Sequence, residues 1–155
     1  MVFAIGGFNS KEKIFLKTAE VFSIDNQKWY SLNDMKIERS KPTISIYQDN
    51  MFVIGGLTAN ADYLDNMAET FNFTTEEWET FPYGGFDNPP ITNSSSSSSL
   101  PIFKDKSTLF FFGGSDAQNL TQLIQPVEMD LEKKQFNLNY IIHELRSARR
   151  SPTLG

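Results

Sequence analysis

A glycine pair and a large aromatic residue recur in this chain three times over, always at the same distance. Counted from the second glycine, Trp29 follows Gly7, Trp78 follows Gly56 and Phe136 follows Gly114, each by 22 positions. Every pair closes an apolar run: Val2-Phe3-Ala4-Ile5 before Gly6-Gly7, Met51-Phe52-Val53-Ile54 before Gly55-Gly56, and Leu109-Phe110-Phe111-Phe112 before Gly113-Gly114. Apolar runs this short, bounded by flexible residues, have the length of buried strands and not of helices. A diglycine after a strand is common in itself, so the weight rests on the shared downstream register. Self-similarity of this kind dictates a repeat architecture, in which each unit buries its apolar face against the next.

The remaining positions of the unit are equally regular. Phe22, Phe71 and Met129 lie seven residues before the aromatic in all three units. Alternation in Val21-Phe22-Ser23-Ile24 and Thr70-Phe71-Asn72-Phe73 has the period of two that a strand with one buried face requires. Polar segments stand between the two members: Asp25-Asn26-Gln27-Lys28, Thr74-Thr75-Glu76-Glu77 and Glu132-Lys133-Lys134-Gln135. They predict hairpin turns. A further strand is expected over Thr43-Ile44-Ser45-Ile46-Tyr47, turning at Gln48-Asp49-Asn50 and returning as Met51 to Ile54. Each apolar run is expected to be a buried strand stopped by its diglycine. The missing side chain of the second glycine should let a neighbouring strand or an aromatic approach the backbone, the expected occupant being the ring 22 residues on. The sum is an all-β chain built from four-stranded antiparallel units, in keeping with an aromatic content of 14%.

At Ile54-Gly55-Gly56, Phe71 and Trp78 the sequence resembles the kelch family, whose repeat is an apolar run, a diglycine and a spaced aromatic pair. The resemblance implies a β-propeller fragment of about three kelch blades, with units at about 1–42, 43–93 and 94–150 and the start of a further strand at 151–155. Successive diglycines stand 49 and 58 residues apart, beside the length of about 50 expected of a kelch repeat. The extra residues fall between Trp78 and Gly113, where 84–93 and the serine run Ser94 to Ser99 read as a loop insertion. The third unit departs from the family pattern in having Met129 and Phe136 as its pair. The acidic residue that precedes the first aromatic is present only as Glu20 and Glu69.

Three blades do not close a ring, because propellers use typically four to eight, and an open stack exposes apolar faces and strand edges. The last residues, Arg149-Arg150-Ser151-Pro152-Thr153-Leu154, match Arg39-Ser40-Lys41-Pro42-Thr43-Ile44, which lead into the first strand of the second unit. The first unit is therefore expected to lack a strand that the end of the chain supplies in equivalent form. Three arrangements satisfy this: a piece of a longer kelch protein, head-to-tail self-association of two copies, or capping by another subunit.

The resemblance further implies a protein–protein interaction scaffold or adaptor. In several kelch proteins an Arg a few residues after the Trp strand lies near the channel mouth and binds acidic motifs of partner proteins. Arg39 in Met35-x-x-x-Arg39 and Arg149 in Leu145-x-x-x-Arg149 match that position, whereas the second unit has Asn88 there. The same arginines can instead pair locally with carboxylates. Phe8 and Tyr63, in the loops after two of the diglycines, are either exposed aromatic anchors or rings folded back on the blade. Residues Ser94 to Ser99 are either phosphate acceptors or a low-complexity segment.

Charge and composition narrow the classes. A net charge of −5 repels phosphate backbones and anionic lipid, so neither nucleic acid nor a membrane is an expected partner. There is no cysteine, which removes disulfides, thiolate metal sites and cysteine nucleophiles, and the one histidine available as a base, His143, reads as a strand-end or loop residue. No cofactor, metal site or enzymatic activity is expected. The alternative is a non-catalytic portion of a propeller enzyme such as a glycosidase or an oxidase; the copper type of oxidase needs a cysteine ligand that is absent here. The opening apolar run, Met1 to Ile5, is too short for a signal peptide core or a membrane span. The expected setting is the cytoplasm, with cytoskeletal or ciliary assemblies among the places where such domains occur.

Overall fold

A computed structural model describes residues 1–59, 67–82, 102–103, 107–111 and 127–137. The described residues contain strands and no helix: β1 (Val2–Asn9), β2 (Ile14–Ser23), β3 (Lys28–Ser31), β4 (Thr43–Tyr47), β5 (Asn50–Ile54), β6 (Met67–Asn72), β7 (Glu77–Pro82), β8 (Ile102–Phe103), β9 (Thr108–Phe111), β10 (Val127–Asp130) and β11 (Gln135–Asn137). They form three antiparallel sheets, ordered β1-β2-β3, β4-β5-β6-β7 and β8-β9-β10-β11. The second and third sheets are four-stranded meanders of the kelch propeller type. The first has three strands, equivalent to β5, β6 and β7.

Register explains the fixed spacing of seven. Phe22 stands opposite Trp29, Phe71 opposite Trp78 and Met129 opposite Phe136. The spacing is what a hairpin with a four-residue turn demands of two residues that share a face.

Those turns have one design. Their last residues, Gln27, Glu76 and Lys134, adopt left-handed φ values of 52°, 57° and 52°, which costs a non-glycine residue roughly 1 kcal/mol. An acceptor at the end of the preceding strand offsets the cost by holding the turn amides. The Asn72 Oδ1 accepts from the amides of Thr74 and Thr75 at 2.9 Å, and the Asp130 Oδ1 accepts from those of Glu132 and Lys133 at 3.0 Å. Ser23 serves in the first sheet, its Oγ accepting from the Asn26 amide. Asn9 does the same between β1 and β2, holding Lys11 and Glu12 ahead of the left-handed Lys13.

The backbone amide of Lys133, and then its ammonium 3.1 Å away, hold the Asp130 carboxyl below its ordinary value of 3.8. A carboxylate whose folded pKa is lowered stabilises the fold above its unfolded value and ceases to do so as pH falls through the folded one. Asp130→Ala is therefore expected to cost about 1 kcal/mol at pH 7. In urea titrations the difference from wild type should narrow once the pH drops below 3.8. A constant difference down to pH 2 would show that the charge plays no part.

The sheets stack face to face, and the second is covered on both sides. On one side Met51, Val53, Phe71 and Trp78 pack with Ile5, Ala19 and Met35 from the first unit. On the other, Phe52, Ile54, Ala68 and Phe81 pack with Leu109, Met129 and Leu131 from the third. This two-sided cover is why Met51 to Ile54 is an unbroken apolar run: each of its residues is buried. At the rim the Lys134 ammonium lies 2.6 Å from the Glu79 carboxylate and the Tyr47 hydroxyl donates to Glu132, joining the second and third sheets.

Two expectations need correction in the first unit. The strand does not stop at Gly6-Gly7; it bulges between Ile5 and Gly7 and continues to Asn9. Nor is it buried throughout, because Val2 and Ala4 face outward and only Ile5 of the run is fully enclosed. The role of the glycines also differs. A Cβ on Gly56 would lie 2.7 Å from the Ser40 carbonyl oxygen, and one on Gly6 would collide with that of Arg39. The close neighbour of Gly6 and Gly56 is therefore the backbone joining the first two sheets, and that of Gly7 is the Leu16 side chain at 3.8 Å; none is an aromatic ring. Gly113 and Gly114 lie outside the described residues.

Candidate functional site

Residues 32–42, between β3 and β4, form a strap at the seam of the first two sheets. The amides of Leu32, Met35 and Arg39 donate to the carbonyls of Ala19, Lys17 and Leu16, so the strap follows the edge of β2. The Arg39 carbonyl accepts from the Gly7 amide, and Ser40 exchanges two backbone hydrogen bonds with Leu57. On the second sheet, the Trp78 indole donates to the Asn33 carbonyl at 2.6 Å while its ring lies 5.0 Å from that of Phe71.

At the centre of the strap sits an enclosed ion pair. The Arg39 Nη2 lies 2.8 Å from Glu69 Oε2, and both side chains are 0% exposed. The other guanidinium nitrogen, Nη1, donates to the Gly55 carbonyl at 3.0 Å, and Glu69 Oε1 accepts from the Lys36 amide at 2.6 Å. Burying charges is costly unless each is paired and hydrogen-bonded, and here both conditions are met. This corrects the reading of Arg39 as a partner-binding arginine at a channel mouth. Its guanidinium is turned inward and engaged by the chain's own carboxylate, which is the local-pairing alternative.

Among the described residues, the same face of the first sheet has no such cover. Val2, Phe22 and Trp29 stand opposite one another, as do Ala4, Glu20 and Ser31. These six positions correspond to Met51, Phe71, Trp78, Val53, Glu69 and Thr80 in the second sheet. Trp78 is 6% exposed and Trp29 52%; Met51 is 0% exposed and Val2 51%. Glu69 is enclosed with Arg39, whereas Glu20 is exposed and its carboxylate has no ion-pair partner among the described residues. The rings of Phe22 and Trp29 remain in contact, their centroids 5.2 Å apart and their planes tilted by 48°. The first sheet thus presents to solvent an aromatic surface with a carboxylate beside it, in the geometry that the second sheet buries.

Phe8 lies in β1 and not in a loop; it is 48% exposed, with its ring 5.0 Å from that of Phe15. Tyr63, Arg149, Asn88, His143 and residues Ser94 to Ser99 lie outside the described residues. Phe136 pairs with Met129 in the ladder of the third sheet. Among the described residues no three His, Cys, Asp or Glu side chains come close enough to hold a metal ion, and no helix is long and apolar enough to cross a membrane. Sequence reasoning singled out Glu20 and Glu69 only as family features. Their equivalence was visible, since both stand two residues before the first aromatic, but the pairing of Glu69 with Arg39 spans 30 residues and has no local signature.

Residues 1–36, most of the first unit, match the family model described as the Kelch motif. The chain is 28% identical over 90 residues to a putative F-box/kelch-repeat protein of Arabidopsis thaliana, covering 58% of this chain and 23% of that protein. It is 31% identical over 81 residues to Kelch-like protein 41b of Danio rerio, covering 52% and 13% respectively. It is also similar to Ras guanine nucleotide exchange factor F of Dictyostelium discoideum, at 24% over 102 residues, covering 65% of this chain and 8% of that one. The matched stretches thus span less than a quarter of these three relatives.

Proposed function

We propose that this chain, similar to kelch-repeat proteins over the matched stretches, works as a non-catalytic protein-interaction scaffold, assembled with other polypeptide through the open face of its first sheet. The observation that carries this reading is the contrast between Trp29 and Trp78, one position of the repeat found once in solvent and once under a neighbouring sheet. A contiguous aromatic patch rimmed by polar groups marks an association surface. Its counterpart one unit along is covered by a sheet and a strap, so the fitting partner is protein. Phe8 and Phe15, a second half-exposed ring pair on the same sheet, extend the apolar surface available to that partner. The net charge of −5 favours this class over nucleic acid or anionic lipid, and a cytoplasmic setting suits it.

Trp29→Glu tests the reading. The variant is expected to keep the circular dichroism spectrum and unfolding midpoint of the dilute chain, because the ring is exposed there, and to lose its assemblies when measured by native mass spectrometry. Assemblies undiminished by a charge at position 29 would remove this face from consideration.

A further inference from the structure

We propose that the groove in which the first two sheets part binds a segment of another protein, which inserts a large apolar side chain and sets a lysine or arginine against Glu76. The site lies on the face of the first sheet opposite Trp29; it goes beyond the open-face reading and shares only its premise that the chain binds protein. Ile5 and Ala19 are buried against Met51 and Val53, but the contact is incomplete toward one end of the seam. There Phe3, Val21, Leu32 and Phe73 are half-buried and Ile46 is exposed. With Phe71 they wall a cavity of about 430 Å³ that Glu76 borders. The Phe73 ring joins the two sheets, its centroid 5.5 Å from that of Phe3 and 5.6 Å from that of Phe71. Ligand sites have volumes of about 300–1,000 Å³, and this cavity is within that range.

The seam between the second and third sheets offers a direct comparison. Thr70 precedes Phe71 as Val21 precedes Phe22, and Lys134 stands two residues before Phe136 as Glu76 stands two before Trp78. The corresponding space at that seam is lined by Asn50, Thr70 and Asn72. Its Lys134 ammonium lies 2.6 Å from the Glu79 carboxylate and 5.6 Å from the centre of the Phe81 ring. That seam supplies its own cation, and its polar walls can hydrogen-bond with water. At the first seam both features are inverted. Tyr30 takes the place of Glu79 and Glu76 that of Lys134, and the Glu76 carboxylate has no ion-pair partner among the described residues. The walls are apolar, so water in the groove meets surface to which it cannot hydrogen-bond.

Apolar walls with a carboxylate at the rim specify the occupant. The Glu76 backbone is fixed on both sides, its carbonyl accepting from the Asn33 Nδ2 at 2.7 Å and its amide donating to the Asn72 carbonyl at 2.8 Å. An ordered turn therefore carries the carboxylate. Lysine and arginine have an apolar stem below the charged head, so either one can pair with Glu76 while its stem extends the apolar contact. A large apolar side chain next to it in the partner fills the cavity and is removed from water. The net charge of −5 draws a basic segment toward this surface and repels nucleic acid and anionic lipid.

The test titrates the whole chain with three blocked heptapeptides that differ only at the centre, which is Arg-Phe-Arg, Glu-Phe-Glu or Arg-Ser-Arg, and reads binding by NMR shifts. Wild type is expected to bind Arg-Phe-Arg about tenfold more tightly than Arg-Ser-Arg, which has no ring to bury. It should also prefer Arg-Phe-Arg to Glu-Phe-Glu, whose carboxylates meet Glu76. Glu76→Lys, an exposed change that copies Lys134 of the third unit, should reverse that preference. Ile46→Thr keeps a β-branched residue in the strand and should weaken Arg-Phe-Arg about threefold without altering the preference. No binding, equal binding of the three peptides, or a preference unmoved by Glu76→Lys would each overturn the proposal. Peptide binding lost in Trp29→Glu and kept in Glu76→Lys would place the peptide on the open face, so the groove would fall and the open-face reading would stand. Binding that follows Glu76, beside assemblies that Trp29→Glu leaves intact, would keep the groove and remove the open face. If no peptide binds and Glu76→Lys disperses self-association of the wild type in native mass spectrometry, the occupant is a second copy and the proposal is overturned.

Discussion

Replacing Glu69 by Ala is expected to destabilise the chain by about 3–5 kcal/mol, the range observed when one partner of a buried ion pair is removed and the other is left enclosed. The reason is specific to the seam between the first two sheets. Arg39 is fully buried, held by Glu69 on one guanidinium nitrogen and by the Gly55 carbonyl on the other. Without the carboxylate, a cation that cannot be deprotonated in a protein stays away from water without its counter-charge. The Lys36 amide loses its acceptor as well, so the strap loosens where it joins the sheets. Converting both residues together, Arg39→Met with Glu69→Leu, is expected to recover most of the loss, because an apolar pair leaves no charge to solvate. Urea titrations of the two single variants and the double variant measure this directly. A Glu69→Ala variant as stable as wild type would mean that the pair is solvated.

Trp78→Ala should have an effect of the same size, a loss of about 3–5 kcal/mol, in line with truncation of a buried aromatic residue that leaves a cavity. Its ring stacks on Phe71, its indole nitrogen donates to the Asn33 carbonyl, and the cluster around it draws on both sheets. Trp29→Ala, at the same position of the repeat, is expected to cost less than about 1 kcal/mol in the dilute chain, because surface substitutions remove little packing. Chemical denaturation of the two variants side by side reads the difference. Equal losses would show that the first sheet is covered as fully as the second.

The pattern of the fold was legible from spacing because strand pairing has a fixed arithmetic. The seven residues from Phe71 to Trp78 are two half-strands and a four-residue turn, and the ladder places the two rings opposite each other. Alternation likewise revealed which residues of β6 share a face. What spacing could not convey was the company each face keeps. Trp29 and Trp78 are indistinguishable in the repeat, yet the cover over Trp78 comes from Ile5, Ala19 and Met35, residues of another unit. For the same reason the aromatic ring was the wrong occupant for the glycines: the close neighbours of Gly6 and Gly56 are backbone atoms of the strap, at Arg39 and Ser40, and no side-chain periodicity marks them. Arg39 was found as a position, with a surface role and local pairing both open, because its partner, Glu69, lies in β6, the third strand further along the chain. Nor does spacing mark Asn72 and Asp130, each at the last position of a strand, where its oxygen holds the turn amides.

The measurement closest to the centre of this account is acrylamide quenching of tryptophan fluorescence in the two single-tryptophan variants, Trp29→Phe and Trp78→Phe, at high dilution. Stacked sheets with one open face predict a blue-shifted, protected emission from Trp78 and a red-shifted, readily quenched emission from Trp29. Equal accessibility of the two rings would contradict it.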